Sequence, residues 1–321
     1  MSELIVDRPT GVLQAGSIAR PSERVQAWRT LLRGRLGLAG LVMLLAIATA
    51  AIAAPWFAPH DPFQGSLTVS RRCPAFTTCP NLGGTFALTG ATSGTTEYLL
   101  GTDANGRDIL SRIIFAARIS LLVGVSAAAI GGSLGVLAGL VSGYYGGALD
   151  ALITRIADVQ LAFPFILLAI VLVAVLGAGL VNVILVLGIA SWVPYARIVR
   201  GQVLSARNQE YVIAARMIGA RDPAILVHHL LPNVITPAII VATFGVAAAI
   251  IGEATLSYLG LGIQPPTPTW GNMLADGRAY VASAWWLATF PGLAIMVTVL
   301  SINLIGDWLR DFLDPRLRHI G

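Results

Sequence analysis

The sequence predicts an all-α membrane protein with six transmembrane helices, and three observations support this fold class. Hydrophobic residues make up 56% of the 321 residues, whereas charged residues make up 12%. A soluble domain carries about 25% charged residues, and the mean hydropathy of this chain is +0.77. The apolar residues also fall into runs of roughly 20, the length of a helix that crosses a hydrocarbon core.

Six apolar runs organise the chain. The third and fourth are joined by a short turn at Gly177-Ala178-Gly179, so we expect a tight helical hairpin there.

Residues 1–35 precede the first run and are too long for the n-region of a cleavable signal. This arm is expected to carry an interfacial helix capped by Ser22. The predicted spans cover residues 36–58, 119–141, 159–178, 180–201, 234–256 and 287–308.

The arginines predict the orientation of these spans. All 21 basic residues of the chain are arginine. With the N-terminus inside, fifteen arginines lie in cytoplasmic segments and six in outer segments, as the positive-inside rule requires. We therefore expect both termini, residues 1–35 and 309–321, to be cytoplasmic. Residues 59–118 would form an extracytoplasmic loop with an interfacial helix, and residues 119–308 the membrane core.

The residue types that are missing exclude several classes of function. Without lysine the chain has no P-loop and no Schiff base, so any ATP must be hydrolysed by another chain. No nucleophile motif, metal site or nucleic-acid partner is indicated, and no proton relay crosses the spans. Asp158, Glu253 and Asp307 lie near the ends of spans, where we expect them to be hydrated.

Residues 202–233, called the docking segment below, are polar and lie between two long apolar runs. The segment is too polar to cross a bilayer and too patterned for a plain linker. It is predicted to form two short helices joined at Gly219, on the cytoplasmic side, and to bind a partner there. The alternative is an interfacial hairpin without a partner.

The outer loop begins with a segment rich in Pro, Gly, Thr and Ser. It contains Cys73 and Cys79, the two cysteines of the chain. A disulfide between them would suit an oxidising compartment, and free thiols are the alternative.

The segment that follows has an acidic and basic pattern, here called the outer motif: Gly101, Asp103, Gly106, Arg107, Asp108 and Arg112. Asp103 or Asn105 is predicted to cap a helix that lies at the outer interface before the second span. Asp108 and Arg112, four residues apart, are expected to form an ion pair.

Two features of the spans have both a packing and a functional interpretation. Five glycines of the second span, four of them at four-residue spacing, let helices approach closely or form a moving seam. They are Gly131, Gly132, Gly135, Gly139 and Gly143. Small polar residues in spans two to five are candidate pore-lining residues, or else helix contacts. They are Ser126, Asn182, Ser191 and Thr243.

The docking segment resembles the EAA loop of bacterial ABC importer permeases. The similarity lies in Glu210-Tyr211-Val212-Ile213-Ala214-Ala215-Arg216-Met217-Ile218-Gly219 and in His229-Leu230-Leu231-Pro232-Asn233. It extends to Leu100-Gly101-Thr102-Asp103 with the rest of the outer motif, and to Leu256-Ser257-Tyr258-Leu259-Gly260-Leu261-Gly262 with Trp270-Gly271. Together these resemble the second permease subunit of dipeptide, oligopeptide and nickel importers, over residues 30–318.

The resemblance implies a type I importer fold, similar to MetI, in which a cytoplasmic coupling helix seats in a cleft of an ATPase. Glu210 would begin that helix beside its positive dipole end, and Gly219 would form the turn. Ala214 and Ala215 would keep the contact face small, and Pro232 would end the second short helix. The implied coupling residues are Glu210, Tyr211, Ala214, Ala215, Gly219, Ala220 and Pro232.

The implied function is ATP-driven import across the bacterial inner membrane by alternating access. The implied partners are a homologous second permease subunit, two ATP-binding subunits or domains and an extracytoplasmic binding protein. ATP and Mg would bind to the ATPases, and this chain would bind no cofactor. Peptide is the favoured substrate, and nickel or another metal chelate, glutathione and oligosaccharide are the alternatives. A secondary transporter, an intramembrane enzyme and a membrane scaffold are the rival classes, for which no supporting motif is found.

Overall fold

The computed structural model describes residues 35–77 and 96–313, and the regular secondary structure in these ranges is helical. The interfacial helix predicted in the arm 1–35, and residues 314–321 of the tail, lie outside the described residues. The helices are α1 (Arg35–Ile52), α2 (Ala54–Phe57), α3 (Ile109–Tyr145), α4 (Gly147–Leu161), α5 (Phe165–Leu176), α6 (Leu180–Ala190), α7 (Trp192–Ala206), α8 (Glu210–Met217), α9 (Asp222–Ala224), α10 (Leu231–Tyr258), α11 (Trp270–Gly277) and α12 (Trp286–Leu313).

Five helical stretches in the described ranges are long and apolar enough to cross a membrane, and the count is six when the bent pair Gly147–Leu161 and Phe165–Leu176 is taken as one broken span. The fold class predicted from the sequence is therefore confirmed. The helix α6 continues into α7 with a break at Ser191, and this stretch of 27 residues counts as one span. The five stretches are Arg35–Ile52, Ile109–Tyr145, Leu180–Ala206, Asp222–Tyr258 and Trp286–Leu313.

The helix predicted to lie at the outer interface and run into the second span is present as the first part of α3, but it does not turn at the membrane surface. The helix α3 runs without interruption for 37 residues, which corresponds to about 55 Å. Its N-cap is Asp108, whose side chain accepts a hydrogen bond from the Ser111 backbone N–H, so the expectation of Asp103 or Asn105 was wrong. No proline follows Asp108 within the helix, and therefore nothing breaks it at the membrane surface.

The third predicted span, 159–178, is wrong as a single helix. The helices α4 and α5 are bent by 93° relative to each other. Pro164 stands at the break as the N-cap of α5; it lacks an N–H donor and disfavours helical backbone at the preceding residue. The 12 residues of α5 rise about 18 Å, less than the thickness of the hydrocarbon core.

The hairpin predicted at Gly177-Ala178-Gly179 is confirmed. The helix α5 ends at Leu176 and α6 begins at Leu180. Gly177 and Gly179 have φ angles of +87° and +149°, which residues with a side chain rarely adopt. The Asn182 side-chain amide closes the turn by donating to the carbonyl oxygens of Leu176 at 2.7 Å and Gly177 at 3.1 Å.

The helix α3 lies at the centre and contacts α6, α7 and α10. Its glycines form the surface on which α7 packs, which confirms the packing interpretation. A Cβ atom at Gly135 would lie 2.5 Å from the Tyr195 Cβ, and one at Gly139 would lie 2.6 Å from the Ala196 carbonyl oxygen. The two backbones are therefore closer than any larger residue would permit.

The charged residues near the span ends differ in exposure. Asp158 and Asp307 are exposed, as expected. Glu253 is fully buried at 0% exposure, so the expectation that it is hydrated was wrong. Its position one turn from the end of α10 suggested hydration, but α3 and α11 pack over that end of α10.

Candidate functional site

The docking segment joins α7 to α10 and contains one separate short helix, α8. Its second short helix is not separate, which corrects the prediction: α9 passes through a π-helical turn, Ile225–Leu230, directly into α10. Pro232 therefore lies in the first turn of α10 and does not end a helix. The Leu231 N–H donates to the Leu226 carbonyl, five residues back. This wider turn accommodates the proline ring and its missing donor.

Gly219 ends α8 in a Schellman motif. Its N–H donates to the Arg216 carbonyl, and the Ala220 N–H donates to the Ala215 carbonyl, both at 3.0 Å. Gly219 has a φ angle of +82°, in the left-handed region where glycine is favoured at this position. The turn predicted at Gly219 is thus present, and it directs the chain from α8 back toward α9.

One face of α8 packs into the permease core. Val212 and Ala215, at 0% and 4% exposure, join Leu140 of α3 and Val234 of α10 in one apolar cluster. The expectation that Ala215 keeps a partner-facing surface small was therefore wrong. Ala215 is small because it contacts this chain, whereas Ala214 faces outward.

The other face of α8 and the following turn present large apolar side chains. Met217 and Ile218 are 84% and 86% exposed, and Tyr211 and Ile213 are also exposed. Glu210 begins α8 and is exposed beside them. Exposed apolar groups clustered next to polar ones are typical of a protein-binding surface. We call Tyr211, Ile213, Met217 and Ile218 the apolar docking face.

The inner end of α3 fastens the docking segment on both sides of Gly219. The Tyr144 hydroxyl donates to Asp222 Oδ1 at 2.8 Å, and the Arg216 guanidinium lies over the Tyr144 ring at 5.0 Å. Arg207 Nη1 donates to the Gly143 carbonyl at 2.9 Å. Sequence reasoning missed Tyr144, because it stands at the end of an apolar run without a motif around it.

The helix α4 is fastened to α7, which leads into the docking segment. Arg200 donates through Nε and Nη2 to the two carboxylate oxygens of Asp150, at 2.6 and 2.7 Å, and Ser142 of α3 also donates to Asp150. Arg197 Nη2 donates to Asp158 at 2.7 Å. These pairs also escaped sequence analysis, because 39 to 50 residues separate their partners.

The outer motif folds around the Asp103 carboxylate. Asp103 accepts hydrogen bonds from Arg107 Nε at 2.7 Å, from the backbone N–H groups of Asn105 at 2.8 Å and Arg107 at 2.9 Å, and from Arg112 Nη1. Asp276 of α11 lies 3.7 Å from both guanidinium groups. The predicted Asp108–Arg112 pair is wrong, because Asp108 is occupied as the cap of α3 and Arg112 turns toward Asp103.

The two glycines of the outer motif meet neighbouring backbone. A Cβ at Gly106 would collide with the Ser66 carbonyl, and one at Gly101 with the Arg72 carbonyl. The Arg72 carbonyl also accepts from the Thr102 N–H at 3.0 Å. The outer loop is thereby held against the start of α3. Cys73 is buried here, whereas Cys79 lies outside the described residues, so the Cys73–Cys79 disulfide stays a prediction.

The four candidate pore-lining residues are not brought together. The Ser191 hydroxyl faces Gly131 and the Thr243 hydroxyl faces Gly306, so both lie between helices. Asn182 closes the hairpin described above, and Ser126 is partly buried on α3. A cleft of about 460 Å³ opens between α3 and α10 and is lined by other residues, among them Gly132, Tyr195 and Ala238. A pore role for the four residues stays a prediction.

The amino-acid sequence matches two family models. Residues 135–319, more than half of the chain, match the binding-protein-dependent transport system inner membrane component family. The chain belongs to this family. Residues 22–74 match the N-terminal transmembrane domain of oligopeptide transport permease C. The docking segment lies within the matched part of the inner membrane component, and the outer motif lies between the two matches.

Several curated inner membrane components are similar over most of their length. The di/tripeptide transport system permease protein DppC of Pseudomonas aeruginosa is 41% identical over 303 residues, covering 94% of this chain and 95% of the relative. The dipeptide transport system permease protein DppC of Bacillus subtilis is 40% identical over 309 residues, 95% of this chain and 90% of the relative. The glutathione transport system permease protein GsiD of Shigella boydii is 41% identical over 315 residues, which cover 97% of this chain and 98% of the relative.

A solved structure shares the fold. A chain of the MetNI methionine ABC transporter in inward-facing conformations matches with a TM-score of 0.52 and 18% identity, covering 63% of this chain and 97% of that chain. This likeness concerns the fold alone, and it confirms the MetI-like architecture predicted for the inner membrane component.

Proposed function

We propose that this chain is a permease subunit of an ATP-driven, binding-protein-dependent importer of short peptides. The observation that carries the proposal is the apolar docking face, exposed on a helix whose opposite face is buried against α3 and α10. A partner seated on α8 can therefore move the ends of two membrane-crossing helices. Family membership and the peptide-transport relatives support the same function.

The partner of the docking face would be an ATP-hydrolysing subunit. The chain contains no lysine for a P-loop, so ATP and Mg would bind to two such subunits or domains. ATP binding would favour one conformation of the complex by its differential affinity for the two states. The chain transmits this energy and carries out no covalent chemistry itself.

The pathway would be completed by a homologous second permease subunit, and substrate would arrive on an extracytoplasmic binding protein. The arginine distribution supports cytoplasmic termini and a cytoplasmic docking segment. The outer motif and α11 would then face the binding protein. No nucleic-acid partner is proposed.

Four classes of substrate are candidates, and the relatives help to rank them. Relatives named for dipeptides, di/tripeptides and glutathione have similar identities, 40–41%. Glutathione is itself a tripeptide derivative, so it is the second candidate substrate. Nickel or another metal chelate and oligosaccharide are the remaining alternatives. Uptake of a labelled dipeptide in cells, with competition by glutathione, nickel chelate and oligosaccharide, separates the four.

The coupling role is tested in the purified complex of both permeases and the ATPase subunits, reconstituted in lipid. ATPase activity is measured with and without the binding protein for Met217→Asp, with Met217→Leu as the matched control. We expect Met217→Asp to abolish the stimulation, because a charge would be placed in an apolar contact. Met217→Leu, which preserves volume and polarity, should retain it. Full stimulation of Met217→Asp would show that α8 is not the coupling element.

A further inference from the structure

A buried polar cluster lies at the outer end of α10. It consists of Glu253 and Ser257 of α10, Ser120 of α3 and Thr269, the N-cap of α11. All four side chains are buried, with exposures of 0% to 2%. The Ser257 hydroxyl donates to Glu253 Oε1 at 2.7 Å, and Ser120 and Thr269 lie near the same carboxyl group. Three packed elements therefore meet at one carboxyl.

Two atoms of this cluster have unmet hydrogen-bonding capacity. Glu253 Oε2 and Ser120 Oγ are both buried without a partner among residues 35–77 and 96–313. None of the ion pairs formed within the same ranges includes Glu253. A buried carboxylate without a cation is costly, whereas a carboxylic acid both donates and accepts a hydrogen bond.

We propose that Glu253 is a positioning residue that holds α11 in place by means of a neutral carboxyl group. In this arrangement the proton would reside on Oε2, which becomes a donor available to the nearby Ser120 Oγ, while Oε1 accepts from Ser257. This arrangement gives a partner to each of the two unpartnered atoms. It also requires no counter-ion, in agreement with the lack of an ion pair to Glu253 among residues 35–77 and 96–313.

The helix α11 shows what the cluster positions. At its start, the Thr269 hydroxyl accepts from the Asn272 N–H at 3.1 Å, and Trp270 Nε1 donates to the Ile113 carbonyl of α3 at 3.1 Å. At its other end, Asp276 lies 3.7 Å from the outer-motif arginines Arg107 and Arg112. Glu253 thus anchors one end of α11, and the outer motif anchors the other.

The functional consequence rests on the function proposed above, in which α11 faces the binding protein. A displaced α11 would weaken the response to the binding protein without affecting ATP hydrolysis on the opposite side of the membrane. The basal ATPase activity should therefore be preserved when the anchor is lost.

The first test is hydrogen–deuterium exchange of the amides of residues 270–277 in the full reconstituted complex. Glu253→Leu removes the polar atoms at similar size, whereas Glu253→Gln can donate and accept as a carboxylic acid does. We expect exchange to accelerate roughly tenfold in Glu253→Leu, the scale of an unpaired buried group, and to be unchanged in Glu253→Gln. This readout does not depend on transport.

Two results would overturn the inference. Accelerated exchange in Glu253→Gln would mean that the charge is needed, as a bound cation would require. Unchanged exchange in Glu253→Leu would mean that Glu253 does not anchor α11. If Glu253→Leu fails to assemble, Ser257→Ala takes its place and should also accelerate exchange. Thr255→Ala is its matched control, since the Thr255 hydroxyl bonds to Ile251 of its own helix and should have no effect.

The second measurement is the stimulation of ATPase activity by the binding protein. Glu253→Leu should lose most of the stimulation and keep the basal rate, and Glu253→Gln should keep both. A wild-type complex that does not respond to the binding protein would contradict the proposed function, and the exchange experiment would still decide the role of Glu253.

Discussion

The Tyr144 hydroxyl donates a hydrogen bond of 2.8 Å to the Asp222 carboxylate, which joins the last turn of α3 to the residue that begins α9. The same tyrosine ring lies under Arg216 of α8. One side chain of α3 therefore contacts the docking segment before and after its glycine turn, and in the proposed function this contact would transmit a displacement of the segment to α3.

Tyr144→Phe should weaken this transmission. The substitution keeps the ring beneath Arg216 and removes the hydroxyl, at a cost of about 1 kcal/mol. We expect a reduced stimulation of ATPase activity by the binding protein, with a normal amount of assembled complex. Tyr145→Phe is the matched control, because Tyr145 is exposed and has no side-chain hydrogen bond among the described residues. Equal effects of the two substitutions would argue against a role for the Tyr144–Asp222 contact.

Gly219→Ala should destabilise the docking segment. Its φ of +82° imposes a penalty of roughly 1 kcal/mol on alanine, although a Cβ would meet nothing within 4 Å. Co-purification of the ATPase subunit should fall. Gly201→Ala is the control: this glycine also has open space, but it lies inside α7, where alanine is favoured. Loss of the ATPase subunit in both variants would point to sterics at the partner, not to the turn.

The seam between α3 and α7 predicts two different outcomes for neighbouring glycines. A Cβ at Gly135 would lie 2.5 Å from the Tyr195 Cβ, whereas one at Gly132 would lie 3.4 Å from the Tyr195 ring. Gly135→Ala should lower the thermal unfolding midpoint of the complex, by the 1–3 kcal/mol that is typical of overpacking. Gly132→Ala should have little effect. Similar midpoints for both variants would mean that the seam can widen freely.

The outer motif predicts a contrast between two aspartates. Asp103 is buried between Arg107 and Arg112, so Asp103→Asn leaves the two guanidinium groups with only the half-exposed Asp276 as counter-charge, at a cost of about 3 kcal/mol. Asp276 is 48% exposed, and Asp276→Asn should cost about 1 kcal/mol or less. Expression of folded complex and its unfolding midpoint measure both. A mild effect of Asp103→Asn would imply that the two arginines find other partners.

Hydropathy indicates where five of the six predicted spans lie, but it does not indicate where their helices begin and end. Hydropathy reports which residues can face lipid, and it identified the apolar part of α3 but not its continuation to Ile109. The predicted third span, 159–178, runs through Pro164, whereas Pro232 was expected to end a helix, and the structure reverses both expectations. Pro164 breaks the third span at a 93° bend, whereas Pro232 follows a π-helical turn and breaks nothing. Local sequence does not reveal which of the two outcomes neighbouring helices will favour.

In the candidate site, features with a local sequence pattern could be predicted, and features that depend on tertiary contacts could not. Gly219 could be found because a left-handed turn has a sequence signature. The faces of α8 could not be assigned, because Ala215 contacts α3 and α10 only after the chain has folded. Arg112 was paired with the aspartate at helical spacing, but Asp108 was already required as a cap. Tyr144 and Asp222, which are 78 residues apart, have no local pattern that would pair them.

The length of α3 has a mechanical consequence. The helix runs unbroken from its N-cap Asp108 at the outer motif to Tyr144 at the docking segment, and its glycine seam, Gly131 to Gly143, occupies the inner half against α6 and α7. A continuous helix of this length would tilt as one rigid rod. A tilt of about 10° about the centre of a rod 55 Å long moves its two ends by roughly 5 Å in opposite directions. A push at the cytoplasmic end would then be felt as an opposite displacement outside.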